Sequence, residues 1–244
     1  MTARLAGIWD ALLNLVYPPV CQICQRERAG IEQGYVGGEC WSQVRFVAAP
    51  FCHRCGLPYE GTITQPFVCS NCADIKFHFC FARSAVIANP LVLQVIHRYK
   101  YNHALYFESF LADLLIRQAV PALKDEKWDL IVPVPLHPAK EREREFNQAG
   151  RLARHLSRAT RIPVNTELIR RVKPTQTQTQ LNRAERAGNV QGAFVPRGGK
   201  KLNGERIILL DDVLTTGATT SACARILRKA GAGDVCVWTV ARGA

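Results

Sequence analysis

Two groups of residues in this 244-residue chain have types and spacings that could do chemistry. The first is Asp211-Asp212-Val213-Leu214-Thr215-Thr216-Gly217-Ala218-Thr219-Thr220, which follows the apolar run Ile207–Leu210. Two adjacent carboxylates can accept hydrogen bonds from a vicinal diol. The loop after them leads into a helix start, where unpaired N–H groups and the helix dipole favour an anion. Gly217 lets a phosphate approach the backbone, and Thr215, Thr216, Thr219 and Thr220 add hydroxyl donors. A pentose 5-phosphate presents a diol and a phosphate together. No Lys follows Gly217, which excludes a P-loop, and the turn lacks the G-x-G-x-x-G of a dinucleotide site.

The second group is cysteine. Eight of the ten cysteines lie in residues 21–80. Cys52-x2-Cys55, thirteen residues, then Cys69-x2-Cys72 is a four-thiolate metal pattern. Cys21-x2-Cys24 and Cys40 supply three more thiolates. Their fourth partner is open among Glu39, His53, His78, Cys80 and water, as is loss of this upstream site. Structural zinc fits better than catalytic zinc, because no His-rich open site accompanies the thiolates. Cys223 and Cys236 fall in helix and strand patterns and read as small core residues.

The elements that must position these groups follow from periodicity. Apolar Leu5, Ile8, Trp9, Leu12, Leu13 and Val16 predict an amphipathic helix over 3–16. The stretch 21–80 is rich in turn residues and too poor in apolar runs to fold without a staple. Beyond it, strands are predicted at 82–88, 129–134, 207–210 and 235–240. Helices are predicted at 90–99, 104–119 (ended by Pro121), 146–159 and 219–230. Alternating strands and helices mean an α/β domain with a mainly parallel sheet. The chain divides as 1–80, the N-terminal helix and cysteine-rich zinc module, and 81–244, the α/β domain. No apolar run reaches the length of a membrane span and nothing resembles a signal peptide, so the expectation is a cytoplasmic protein.

Charge is uneven. The net charge is +12, and residues 140–206 hold 16 basic and six acidic residues. Such a stretch attracts polyanions, whether phosphorylated metabolites, nucleic acid or an acidic membrane face.

The segment from Asp211 to Thr219 closely resembles the signature of type I phosphoribosyltransferases. The cysteine module, Val132-Pro133-Val134-Pro135-Leu136 and Phe146-Asn147-Gln148 extend the resemblance over nearly the whole chain, to competence proteins of the ComF/GntX type (ComFC-like). That resemblance implies a parallel-sheet type I phosphoribosyltransferase fold behind a small zinc module. It implies binding of phosphoribosyl pyrophosphate (PRPP) with Mg2+. Asp211 and Asp212 would take the ribose hydroxyls, and Thr215, Thr216, Gly217, Ala218 and Thr219 the 5-phosphate. Arg142 and Arg144 would face pyrophosphate. Residues 171–194 resemble a flexible hood from which Arg183 and Arg186 would reach phosphate. The family usually carries Gly before Phe-Asn-Gln, where this chain has Glu145, and a cysteine where it has Gly37.

The family also implies service in single-stranded DNA uptake during natural transformation, with a competence helicase or other uptake proteins as partners. The activity implied is phosphoribosyl transfer to an unidentified acceptor. No residue reads as the catalytic base, and none of the histidines in the large domain is placed as one. The alternative expectation is a non-catalytic adaptor that binds single-stranded DNA or a protein partner.

Overall fold

The computed structural model describes residues 19–174, 191–198 and 201–243. The helix expected over 3–16 lies outside these residues. The cysteine-rich segment contains only short helices, α1 (Gly38–Ser42) and α2 (Ser70–Ala73). Then come β1 (Ala82–Ile87), α3 (Pro90–Tyr101), α4 (Glu108–Leu123), β2 (Leu130–Pro133), α5 (Pro138–Arg144) and α6 (Gln148–Thr160). The chain ends with β3 (Ile169–Arg171), β4 (Phe194–Pro196), β5 (Ile207–Leu214), α7 (Ala218–Lys229) and β6 (Val235–Arg242).

Four strands form one parallel sheet in the order β1-β6-β5-β2. Strands β5 and β6 are buried along nearly all their length, as the continuous apolar runs require of a sheet covered on both faces. Side chains alternate between the faces. Ile208, Leu210, Trp238 and Val240 pack with α3, α4 and α6. Ile207, Leu209, Val235 and Val237 pack with α7 and the β3–β4 ribbon. Adjacent strands β2 and β5 therefore send their following helices, α6 and α7, to opposite faces. Chains diverging in this way leave a crevice at the carboxyl ends of the two strands, where open α/β sheets place ligands.

The cysteine-rich segment is built onto this sheet. Val47 N–H donates to Ala85 O and Ile87 N–H to Arg45 O, which extends the sheet past β1. Cys80 N–H donates to Val235 O at the start of β6. Cys21, Ala29, Val36 and Cys40 share the core cluster of α3 and α4.

Several elements differ from the sequence reading, among them the unpredicted helix α5. Helix α4 begins at Glu108 after a 3-10 turn and runs through Pro121 to Leu123, so the proline does not end it. The antiparallel ribbon β3–β4 was not predicted, because its three-residue strands carry too little alternation to be read. Strand β5 continues to Leu214 instead of stopping at Leu210, because residues 211, 213 and 214 keep their register with β6.

Candidate functional site

The continuation of β5 to Leu214 decides the geometry of the acidic pair. Asp211 and Asp212 do not sit on a turned end; they lie inside a strand, and alternation sends them to different faces. Asp212 follows Ile208 and Leu210 to the α3 and α6 face and is 4% exposed. There it pairs with Lys100 Nζ from the last turn of α3 and accepts from Gln148 Nε2 at 3.5 Å. Asp211 follows Ile207 and Leu209 to the α7 face, within electrostatic reach of Arg171 and Cys223. The two carboxyls still interact, and Asp212 N–H donates to Asp211 Oδ1 at 2.9 Å.

Burial opposes charge on both. For Asp212 the Lys100 ammonium overrides burial and holds the carboxyl below its usual range. For Asp211, desolvation and the neighbouring charge of Asp212 push the carboxyl well above its usual range. Lys100 thus favours the charged form of Asp212 over that of its neighbour. Sequence reasoning missed Lys100, whose only local signal is a basic residue ending an apolar helix.

The loop after β5 is shaped from the other side. Gly217 adopts φ 76°, the left-handed region, as the N-cap of α7. Thr216 Oγ1 accepts from Ala218 N–H at 3.4 Å, and Thr220 Oγ1 donates to Gly217 O at 3.1 Å. Thr215, Thr216, Ala218 and Thr219 are partly exposed at the crevice, whereas Thr220 is buried. A side chain at position 217 would meet the Phe77 ring at 3.0 Å, and Phe77 stacks on Phe79. His78 N–H donates to Ser221 Oγ, so the segment after the second cysteine pair lies against this loop.

Arg242, at the end of β6 and 5% exposed, makes the deeper connection. Its guanidinium donates to Leu214 O and Thr215 O, each at 3.0 Å, and to Cys55 O at 3.2 Å. One buried cation therefore holds the phosphate-type loop and a cysteine ligand together. Its distance in sequence from both hid it from the sequence reading.

Facing the acidic pair are cations from α5 and β3. Arg144 is buried, lies over the Tyr101 ring at 4.5 Å and donates to Gln148 Oε1 at 3.1 Å. Gln148 thus links Arg144 to Asp212. Lys140 is held below its ordinary value by burial and by the neighbouring charges of Arg171 and Arg144. Arg171 is lowered too, chiefly by burial. Clustered cations that burial disfavours suit a bound anion. Arg142 is exposed on α5 and is not brought into this cluster. Arg183 and Arg186 lie outside the described residues.

The Phe-Asn-Gln segment explains itself locally. Phe146 packs beside Tyr99. Asn147 caps α6 by accepting from Gly150 N–H and donates to Val134 O, each at 3.1 Å, which ties the loop after β2 to the helix. Glu145 stands at φ 64°, a conformation that glycine adopts without strain, at the C-terminal end of α5. Beside this segment a cavity of about 630 Å³ opens between the loop after β2, α6 and β3, with Arg151, Arg154, Arg170, Arg171 and Arg197 on its walls.

The cysteines form two clusters, in each of which the four donor atoms lie within 4.8 Å of one another. Cys52, Cys55, Cys69 and Cys72 make one, with Cys55 and Cys69 sulfurs 3.7 Å apart. Cys21, Cys24, Cys40 and Glu27 make the other, with Cys21 and Cys40 sulfurs 3.6 Å apart. A tetrahedral site with Zn–S near 2.3 Å needs sulfurs about 3.8 Å apart, so both clusters fit zinc. Burial pushes the thiols up, but backbone N–H groups of Cys24, Gly37 and Ile23 bring Cys21 down to about 7. Those of Cys69, Cys55 and Arg54 do the same for Cys52. Cys40 is driven up to about 12 by burial and by the charge of Cys21 and Cys24. Full ionisation of either cluster therefore calls for a cation.

The fourth member of the upstream cluster is Glu27, which sequence reasoning did not consider. Glu39 contributes only its backbone N–H, to the Glu27 carboxylate. His53 N–H pairs with Phe67 O, His78 lies against α7, and the Cys80 thiol donates to Val235 O. Cys223 and Cys236 are buried in the sheet domain, as expected.

A family model, the double zinc ribbon domain, matches residues 12–74. Competence protein F of Haemophilus influenzae is 31% identical over 229 residues, covering 91% of this chain and 96% of that protein. DNA utilization protein YhgH of Escherichia coli is 29% identical over 235 residues, covering 93% and 99%. Among solved structures, the purine phosphoribosyltransferase of Pyrococcus horikoshii shares 17% identity over 55% of this chain and 83% of its own, with a TM-score of 0.35. Among the described residues no helix is long and apolar enough to cross a membrane.

Proposed function

Since the chain belongs to the competence protein F family, we propose that the crevice between β2 and β5 binds PRPP with Mg2+ in the service of DNA uptake or use. What supports this reading is the succession of acidic pair and Thr-Gly loop at the carboxyl end of β5, with Lys100 and Arg171 within electrostatic reach of the pair and Lys140 and Arg144 beside those cations. Asp211 and Asp212 offer acceptors for ribose hydroxyls. The loop Thr215–Thr219 offers hydroxyl and backbone donors for a 5-phosphate. Lys100, Lys140, Arg144 and Arg171 offer positive charge for pyrophosphate.

The carboxylate oxygens of the pair are donors of the kind a hard cation takes. Mg2+ arriving with pyrophosphate would supply neutralisation of the departing charge. The protein's part is to orient the ribose and to hold its cations ready, and transition-state stabilisation of this kind needs no covalent step. Lys100 is well placed to exchange Asp212 for a phosphate oxygen when the diol takes over the carboxylate. The acceptor of the phosphoribosyl group is left open by this reading.

Titration calorimetry with Mg2+ and PRPP tests it, beside the D211N/D212N variant. Binding to the wild type and loss in the folded variant is the expected result. Absence of binding to the folded wild type overturns it.

A second reading has its own observation, the arginine-walled cavity beside α6. Arginines on the surface of a groove track a phosphate backbone with salt-dependent affinity. On this reading the chain is a single-stranded DNA or partner adaptor, and single-stranded DNA would bind the D211N/D212N variant as well as the wild type.

A further inference from the structure

The upstream cysteine cluster has one arm that repeats the downstream design and one that breaks it. Cys21-x2-Cys24 matches Cys52-x2-Cys55, but opposite Cys69-x2-Cys72 stands Gly37-x2-Cys40. Gly37 has φ −81° and ψ 172°, extended backbone open to any residue. Its lack of a side chain therefore answers to space. A Cβ at position 37 would lie 2.1 Å from Glu27 Cδ and 2.3 Å from Glu27 Oε1. The Glu27 carboxylate fills the volume into which a side chain at 37 would project.

That carboxylate is held from several sides. Glu39 N–H donates to Oε1 and Oε2 at 3.1 and 3.2 Å, and Cys40 N–H to Oε1 at 3.4 Å. The Glu27 carbonyl accepts from Cys21 N–H at 2.8 Å, which fixes the loop that carries it. Oε1 stands 3.8 Å from Cys24 Sγ.

We propose that Glu27 is the fourth ligand of the upstream zinc site, in place of the thiolate that Gly37 does not provide, and that positions 27 and 37 are a coupled pair. The proposal rests on the zinc reading of both clusters. A carboxylate carries the same single negative charge as a thiolate, so the charge of the site is kept. Its donor atom is harder, which sets the site apart from the four-thiolate cluster in metal preference. The two zinc ions of one chain are then held with different tenacity, and the upstream one exchanges first.

Metal content and cobalt spectra of the full chain test this. Wild type should hold about two zinc ions and E27A about one, with E27Q releasing the upstream ion to a chelator on the order of tenfold faster. G37C alone should be disturbed by overlap with Glu27. E27A/G37C should regain the second ion, and its cobalt form should show a stronger near-ultraviolet thiolate-to-cobalt band than wild type. Far-ultraviolet circular dichroism verifies folding of each variant. E27A and E27Q that keep both ions with wild-type cobalt spectra would overturn the proposal and leave Glu27 as an anion capping α1. A wild type with only the downstream ion would also overturn it, whereas a wild type with neither would sink the zinc reading itself.

Discussion

Two regions of this molecule gather anionic groups away from water, and they neutralise them differently. The cysteine clusters come from short stretches of chain and are grouped as a metal ion needs, with Arg242 donating to Cys55 Sγ at 3.6 Å. The acidic pair of β5 is balanced from within, by Lys100 of α3. The difference lies in how each is assembled. Knuckle turns set thiolates side by side within short stretches of chain, a grouping that suits a metal ion taken from solution. A strand inside a sheet is surrounded by helices, and one of these can bring a cation.

Removing zinc should produce the largest effect. Structural zinc binding in small modules amounts to roughly 10–16 kcal/mol. Because Arg242 joins Cys55 O to Leu214 O and Thr215 O, the loss should reach the β5 loop as well as residues 19–80. Chelation should lower the melting temperature and open both segments to hydrogen exchange. Exchange confined to the cysteine segment would break the connection drawn through Arg242.

Next is K100M. It strands a buried carboxylate, an event that typically costs about 3–5 kcal/mol. Urea unfolding should show that loss, and K100M/D212N should recover much of it. A double variant as unstable as K100M would mean that Lys100 acts through packing and not through charge.

The smallest effect is expected from E145G. Glu145 stands in the left-handed region with an exposed side chain 3.8 Å from His103, a surface contact of little worth. Glycine there should stabilise by about 1 kcal/mol, a rise of a few degrees in melting temperature. A fall would show that the His103 contact outweighs the backbone strain.

Much of the fold was legible because its signals are local. The apolar runs of β5 and β6 and the stripes of α3 and α6 are the patterns of a buried parallel sheet with helices over it. The four-cysteine cluster was legible for the same reason. The β3–β4 ribbon was not, since three residues per strand leave no periodicity to read. Nor was the end of β5, because an Asp-Asp dipeptide reads as a turn until pairing with β6 carries the strand through it.

By itself the sequence determined the α/β alternation, the glycine-threonine loop at a helix start and the four-cysteine metal pattern of Cys52, Cys55, Cys69 and Cys72, with three further thiolates whose site it left open. Their signals are patterns of short range, a periodicity along one element or a C-x2-C within one turn, where spacing along the chain is distance in space. Only the tertiary structure decided that Glu27 fills the gap at Gly37, that Lys100 and Gln148 meet Asp212, and that Arg242 reaches Cys55 across 187 residues. Each of these settles a buried charge or an occupied volume. Their partners are chosen by which elements the sheet order brings together, and spacing along the chain does not encode that.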